Sequence, residues 1–202
     1  MSKYLHEKAL TFLMKSFPFS ERDLHFRNSI EEVDYLFLTK EEAEILTNIY
    51  FELKDLYLRK LILKNLSRCK EIQLEEFFLK AYKKERYLDI RLTAIRGYAR
   101  FASHKEVEKV MQNFMKILIK RQENTPNNYQ EYAFLLSPAG LPYLIKKYGY
   151  DCFQIVYEQA KVQYDAMEEQ YKNRLTYDEE GNAITITKGM RNAIKKEDRN
   201  KL

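Results

Sequence analysis

The chain has 202 residues, and 45% of them are hydrophobic, so it is long enough for one helical domain with a buried core and a tail. Only five glycines and four prolines occur, which disfavours turn-rich sandwiches and barrels and favours long helices. No run of 18 apolar residues is present, so we expect no membrane span and no membrane partner, and the net charge of +5 is too small to identify a nucleic-acid ligand by itself.

The N-terminal part of the sequence is predicted to be helical. Apolar residues at three- and four-residue steps predict a first helix over 3–16. The stretch from Ser29 to Leu38 fits either a short helix or an extended segment. Thr39 and Glu42 then form a capping box, in which each side chain bonds the backbone amide of the other residue, so a further helix is predicted to begin there.

Two helix pairs of similar pattern follow in the middle of the chain, at 55–83 and 88–121. A shift of about 32 residues superimposes their apolar and basic positions, and a recurrence of this length made of two helices is typical of an α-solenoid. Ser103 and Glu106 form a second capping box, which falls at the junction inside the second pair. The sequence therefore predicts that the chain is organised around this repeated segment.

The C-terminal part is predicted to contain three more helices. A polar break at 124–128 precedes a short helix at 129–136, and Gly149 ends the next helix, which has a proline in its first turn. A last long helix is predicted from Asp151 to about Arg174, with Ile155, Val156, Ala160 and Val162 on its apolar stripe. This organisation predicts a helical repeat domain over 1–175.

The remaining segment, 176–202, differs in composition from the helices. β-type residues flank a Glu-Gly-Asn turn at 180–182, which predicts a small hairpin that begins near Leu175. The final residues, 188–202, are rich in charge and poor in apolar groups, which is typical of a flexible basic tail.

The segment DIRLTAIRGY, which begins at Asp89, resembles the helix signature of HEAT-type repeats, in which an Asp, an Arg and a following Ala recur. The resemblance is best over 88–118 and extends to 55–83. It implies an all-α protein whose helix pairs wind into a short right-handed superhelix. It also implies that Arg59, Asp89 and Arg91 belong to a structural ladder between adjacent repeats.

Motifs that carry catalysis or bind cofactors are missing from the sequence. The three histidines, His6, His25 and His104, have no partner at helical spacing, and no glycine-rich phosphate loop or nucleophile elbow occurs. Two cysteines, Cys69 and Cys152, lie apart within helical patterns and are expected to be reduced thiols of a cytoplasmic protein. We therefore expect no catalytic residues, no cofactor and no metal.

One positive feature is a basic face shared by the two helix pairs. Lys60, Lys64 and Arg68 follow one another at four-residue steps, and Arg96 and Arg100 occupy the positions equivalent to the last two. Equivalent positions of neighbouring repeats lie side by side in a solenoid, so these cations are predicted to form a patch that binds phosphates or an acidic protein surface.

These features predict a non-enzymatic helical-repeat module that binds a protein partner. Nucleic-acid binding through the basic face is the first alternative, although the absence of tryptophan disfavours the version that resembles helical-repeat DNA glycosylases. A second alternative is an immunity or regulatory protein of a toxin or enzyme. The oligomeric state does not follow from the sequence.

Overall fold

The computed structural model describes residues 3–15, 18–69, 72–124, 128–172 and 174–186. Over these residues the chain is all-α apart from one small two-stranded sheet. The helices are α1 (Lys3–Lys15), α2 (Leu24–Glu32), α3 (Lys40–Glu52), α4 (Leu56–Leu66), α5 (Glu75–Lys84), α6 (Leu88–Tyr98), α7 (His104–Asn124), α8 (Tyr129–Leu136), α9 (Leu141–Tyr148) and α10 (Asp151–Asp165). The strands are β1 (Leu175–Tyr177) and β2 (Ala183–Thr185).

The two capping boxes and the glycine stop at Gly149 are confirmed, whereas Asp151 is the first residue of α10 and not its N-cap. Thr39 accepts from the Glu42 amide while the Glu42 carboxylate accepts from the Thr39 amide, and α3 begins there. Ser103 and Glu106 bond each other in the same reciprocal way before α7. At the other end of a helix, Gly149 ends α9 in the left-handed conformation with φ 67°, which a residue without a side chain adopts most easily.

Some helix ends differ from the sequence-based expectation. The undecided stretch after Ser29 begins inside α2, which ends at Glu32. The last long helix ends at Asp165, well before Arg174, and the Lys172 ammonium donates to the carbonyl of Asp165 at 2.6 Å. A cation at a helix C-terminus satisfies a carbonyl that has no partner inside the helix, so the helix can stop there.

The described residues form two compact units. The first contains those within 1–85 and 93–102, and the second contains those within 86–92 and 103–186. Three expectations stay predictions: the superhelix, the division of the chain at 175/176 and the flexible tail at 188–202. The tail lies outside the described residues. Among the described residues, no helix is both long and apolar enough to cross a lipid bilayer.

The first unit buries one carboxylate in its core. Glu85, which follows α5, is 1% exposed and accepts from the Arg59 Nε at 2.8 Å and from the Tyr50 hydroxyl at 2.7 Å. Arg59 also donates to the carbonyls of Leu53 and Lys54 at the end of α3. Because a buried charge is tolerated only when it is paired and hydrogen-bonded, this cluster fixes the ends of α3 and α5 against α4.

A close helix contact lies in the same unit. A Cβ atom placed on Gly97 of α6 would lie 2.3 Å from the Phe78 ring of α5. Glycine is therefore required for α5 and α6 to approach each other this closely.

The second unit is organised around α7, α8 and α10. Its core contains large side chains from each of them: Met111, Phe114, Leu118, Tyr132, Leu135, Phe153 and Val156. The Tyr132 hydroxyl donates to Gln163 Oε1 at 3.0 Å, and Gln163 Nε2 donates to the Leu118 carbonyl at 3.2 Å. This buried chain of hydrogen bonds links the three helices and satisfies each polar group in it.

The predicted hairpin is confirmed and belongs to the second unit. β1 and β2 pair antiparallel with Thr176 opposite Ile184, and the turn between them contains Gly181 at φ 81°. Tyr177 is buried against Phe134 of α8 with their ring centroids 5.1 Å apart. The contact with α8 supplies the apolar support that an isolated two-stranded hairpin lacks.

Candidate interaction groove

The five residues of the predicted basic face all belong to the first unit. Lys60 and Lys64 lie on α4 and are half-buried, while Arg68 lies beyond the end of that helix and is exposed. Arg96 is half-buried on α6, and Arg100 follows the end of that helix.

Arg100 has a hydrogen-bond partner inside the unit. Its Nη1 donates to the carbonyl of Ser67, the C-cap of α4, at 2.6 Å, and its guanidinium lies over the Phe101 ring. Burial raises the pKa of Cys69 to about 11, and the positive charge of Arg100 partly offsets this rise. The structure thus brings Arg100 to the end of α4 that Arg68 follows, where its guanidinium caps the helix.

The three residues of the predicted ladder lie in two units. Arg59 in the first unit is paired with Glu85, as described above. In the second unit Asp89 is buried on α6, and its charge helps to raise the pKa of Tyr177, after the larger effect of burial. Arg91 is half-buried on the same helix. A ladder between repeats stays a prediction.

A concave surface of the second unit lies between α7 and α10. The His104 ring, at the start of α7, stacks on Tyr150, at the start of α10, with centroids 4.0 Å apart. Near the other end of α10, Gln163 bonds the carbonyl of Leu118 on α7. The two helices therefore run side by side in the same direction, and an open cavity of about 610 Å³ lies between them.

Apolar side chains form the two walls of this groove. Met115 contributes from α7 and Ile155 from α10, and the buried Met111 and Val156 form the floor. Ile119 lies one turn beyond Met115 on α7, and Val162 lies two turns beyond Ile155 on α10, so helical spacing puts each on the same helix face as a residue that lines the cavity. Ile119, Ile155 and Val162 are 47%, 59% and 61% exposed, respectively, so both helices carry aliphatic side chains that are open to solvent. We call the surface formed by these helix faces the α7/α10 groove.

Polar groups are concentrated at the N-terminal end of the groove. His104 and Glu108 line it from α7, and Asp151 and Cys152 line it from α10. Lys116 lies two turns further along α7. The groove therefore has an acidic end and a mainly aliphatic remainder.

The thiol, imidazole and carboxylates at this end do not have the electrostatics of a nucleophilic site. Burial raises the pKa of Cys152, and the negative charges of Glu108 and Asp151 raise it further. Because the thiolate is the nucleophilic form, a catalytic cysteine needs an environment that lowers its pKa. The arrangement can bind a ligand, but it opposes activation of Cys152.

The described part of the chain contains no candidate metal centre. No group of three or more His, Cys, Asp and Glu side chains lies there in an arrangement that could hold a metal ion. The groove is therefore considered as a binding surface only.

The outer face of α1 is a second apolar surface, in the first unit. Tyr4 and Phe12 are exposed on it and border a shallow depression, together with Lys8 and Lys15. The described residues that line this depression all come from α1. A surface with one wall encloses a ligand less completely than the two-walled α7/α10 groove does.

The groove residues were not identified as functional from the sequence. Ile155 and Val162 were placed on the apolar stripe of the last helix, but the buried stripe of α10 consists of Phe153, Val156, Ala160 and Gln163. The sequence contains one signal for the groove. The last helix carries aliphatic residues on two adjacent stripes, and only one stripe is needed to pack it against the core.

Comparisons with known proteins give no relative of this chain. No protein-family model matches its sequence, and no significant match was found among the curated proteins or the solved structures.

Proposed function

We propose that this chain is a protein-interaction module that binds an amphipathic helix of a partner in the α7/α10 groove. The proposal depends on one observation: apolar side chains line both walls of a groove between two parallel helices, with Met115 on α7 and the exposed Ile155 on α10. Binding of a helix by its apolar face is a common mode of recognition, in which residues at i, i+3, i+4 and i+7 fill such a groove.

The buried polar network explains why the groove would be preformed. Gln163 connects the backbone of α7 to Tyr132 of α8, so the spacing of the two walls is fixed by hydrogen bonds in the core. A rigid groove avoids the entropic cost of ordering its own walls when the partner binds.

Site-specific crosslinking tests the proposal. A photoreactive residue in place of Ile155 would be compared with the same residue in place of Asn113, which is exposed on α7 and does not line the cavity. We expect position 155 to crosslink one protein through a segment that has aliphatic residues at helical spacing, and position 113 to give no such product. Equal products from both positions, or a crosslinked segment without that spacing, would refute the proposal.

Nucleic-acid binding is the alternative, and it concerns the first unit. The observation that favours it is that the Arg100 guanidinium bonds the carbonyl of Ser67, the residue before the exposed Arg68. If the basic face met about four phosphates, log K for duplex DNA should fall with log salt with a slope of about −3.6. An affinity that survives charge reversal at Lys64, Arg68 and Arg96 would exclude this alternative.

The regulatory or immunity alternative also requires binding to a protein, so it predicts the same crosslinking result. The identity of the crosslinked protein, a toxin or an enzyme in that case, would distinguish it from a general interaction module.

A further inference from the structure

The ends of the α7/α10 groove differ in charge. Glu108 and Asp151 line the cavity at the end where both helices begin, and the apolar Met115 and Ile155 line it further along. Each helix N-terminus contributes a partial positive charge of roughly half a unit, so two carboxylates exceed the combined effect of the two termini. The sum at this end is negative.

The same two charges act on the thiol of Cys152. Burial raises its pKa, and the negative charges of Glu108 and Asp151 raise it further. Because Glu108, Asp151 and Cys152 all line the cavity, a cation bound at this end would be close to both carboxylates.

We infer that the helix bound in the α7/α10 groove carries a Lys or Arg at the end that lies against Glu108 and Asp151, with aliphatic residues along the rest of its buried face. The inference rests on the proposed function and names the chemistry of the partner. A Lys or Arg fits this end because its long aliphatic stem can cover Ile155 and Cys152 while its charged head reaches the carboxylates.

Thiol modification measures the potential of the groove without a partner. The probes are two methanethiosulfonates of similar size, one with a trimethylammonium group and one with a sulfonate group. They would be applied to the full chain carrying Cys69→Ser, which leaves Cys152 as its one thiol. The rate constant for the cationic reagent would be divided by that for the anionic reagent. This ratio would then be normalised by the same ratio for a small reference thiol.

We expect the cationic reagent to be favoured by roughly threefold to thirtyfold at low salt, as two screened charges within about 8 Å would produce. Glu108→Gln with Asp151→Asn should lower the normalised ratio to one or below, because the partial positive charges of the two helix N-termini remain. A ratio of one or below in the chain with both carboxylates would overturn the inference.

A charge exchange with the crosslinked partner provides the second measurement. Replacing the partner's terminal Lys or Arg by Glu should weaken binding about tenfold or more, and Glu108→Lys should restore it. If Ile155→Asp abolishes binding but this exchange has no effect, the inference is wrong and the groove function stands. If the reagent ratio is as expected but Ile155→Asp leaves partner binding unchanged, the groove function is wrong, and the inference about its partner is wrong with it.

Discussion

Glu131 is a carboxylate held inside the second unit. It accepts from Arg121 Nη1 at 3.0 Å and from the backbone amide of Leu88, and it is 5% exposed. Burial nevertheless raises its pKa, because the loss of hydration outweighs these partners. The folded state therefore binds a proton at this carboxyl more readily than the unfolded state does.

This difference gives a prediction about the pH dependence of stability. A carboxyl whose pKa is raised on folding makes its full contribution to stability below its unfolded pKa, near 4.5, and loses it as the pH rises through the folded value. In urea unfolding from pH 7 downwards, the free energy of unfolding of the natural chain should therefore increase relative to that of Glu131→Gln. The amide of the variant still offers an oxygen to the Leu88 amide but does not titrate. If the difference in unfolding free energy between the natural chain and Glu131→Gln is constant or changes in the opposite direction over this pH range, the pKa of Glu131 is not raised on folding.

Two arginines of the first unit cap helix ends. Arg59 donates to the carbonyls that follow α3, and Arg100 donates to the carbonyl at the end of α4. A guanidinium at a helix C-terminus satisfies free carbonyls and opposes the negative end of the helix dipole. Arginines that look like ligand-binding groups in the sequence can therefore have a structural role.

At the scale of elements, the contact between α5 and α6 depends on Gly97. Gly97→Ala should cost roughly 1–3 kcal/mol of unfolding free energy, because the added methyl group overlaps the Phe78 ring. Phe78→Leu alone should also destabilise the chain, but the double variant should be more stable than the sum of the two costs predicts. If the costs of the two single variants add up to the cost of the double variant in urea unfolding, position 97 and the Phe78 ring are not in contact.

The hydrogen-bond chain through Gln163 is expected to hold the walls of the groove. Tyr132→Phe removes the donor to Gln163 Oε1 and should cost about 1–3 kcal/mol, because a buried acceptor loses its partner. Tyr157→Phe is the matched control, since Tyr157 is only half-buried on α10, the helix that carries Gln163. If the two variants have equal unfolding midpoints, the network does not contribute to the position of α10.

Local signals in the sequence were sufficient to predict much of the fold. The capping boxes, the helix over 129–136 and the hairpin near Leu175 were all predicted, because each depends on residues a few positions apart. The groove could not be found in this way. Periodicity shows that Ile155 and Val162 share a helix face, but only the packing of α10 on α7 and α8 shows that this face is open.

The partner of Arg100 was hidden from the sequence for a similar reason. Its acceptor is a backbone carbonyl at Ser67, and every residue carries such a carbonyl, so no residue type marks the contact. The five cations of the basic face were visible as charges, whereas their surroundings depend on tertiary structure.

At the scale of the whole molecule, the two candidate functions differ in their dependence on salt. Binding in the α7/α10 groove buries aliphatic surface and should change little with ionic strength, apart from the single cation at the acidic end. Binding of nucleic acid by the basic face should weaken steeply with salt. A salt titration of any isolated complex therefore separates them before its structure is known.

The central claim is that a partner helix occupies the α7/α10 groove, and its most direct test is the affinity of the crosslinked partner for two variants of equal charge. Ile155→Asp places a carboxylate on the groove wall, and Asn113→Asp places one on an exposed position outside it. The first should weaken binding by about tenfold to a hundredfold, which corresponds to the loss of one buried aliphatic side chain, while the second should bind like the natural chain. Equal affinities for the two variants would contradict the account.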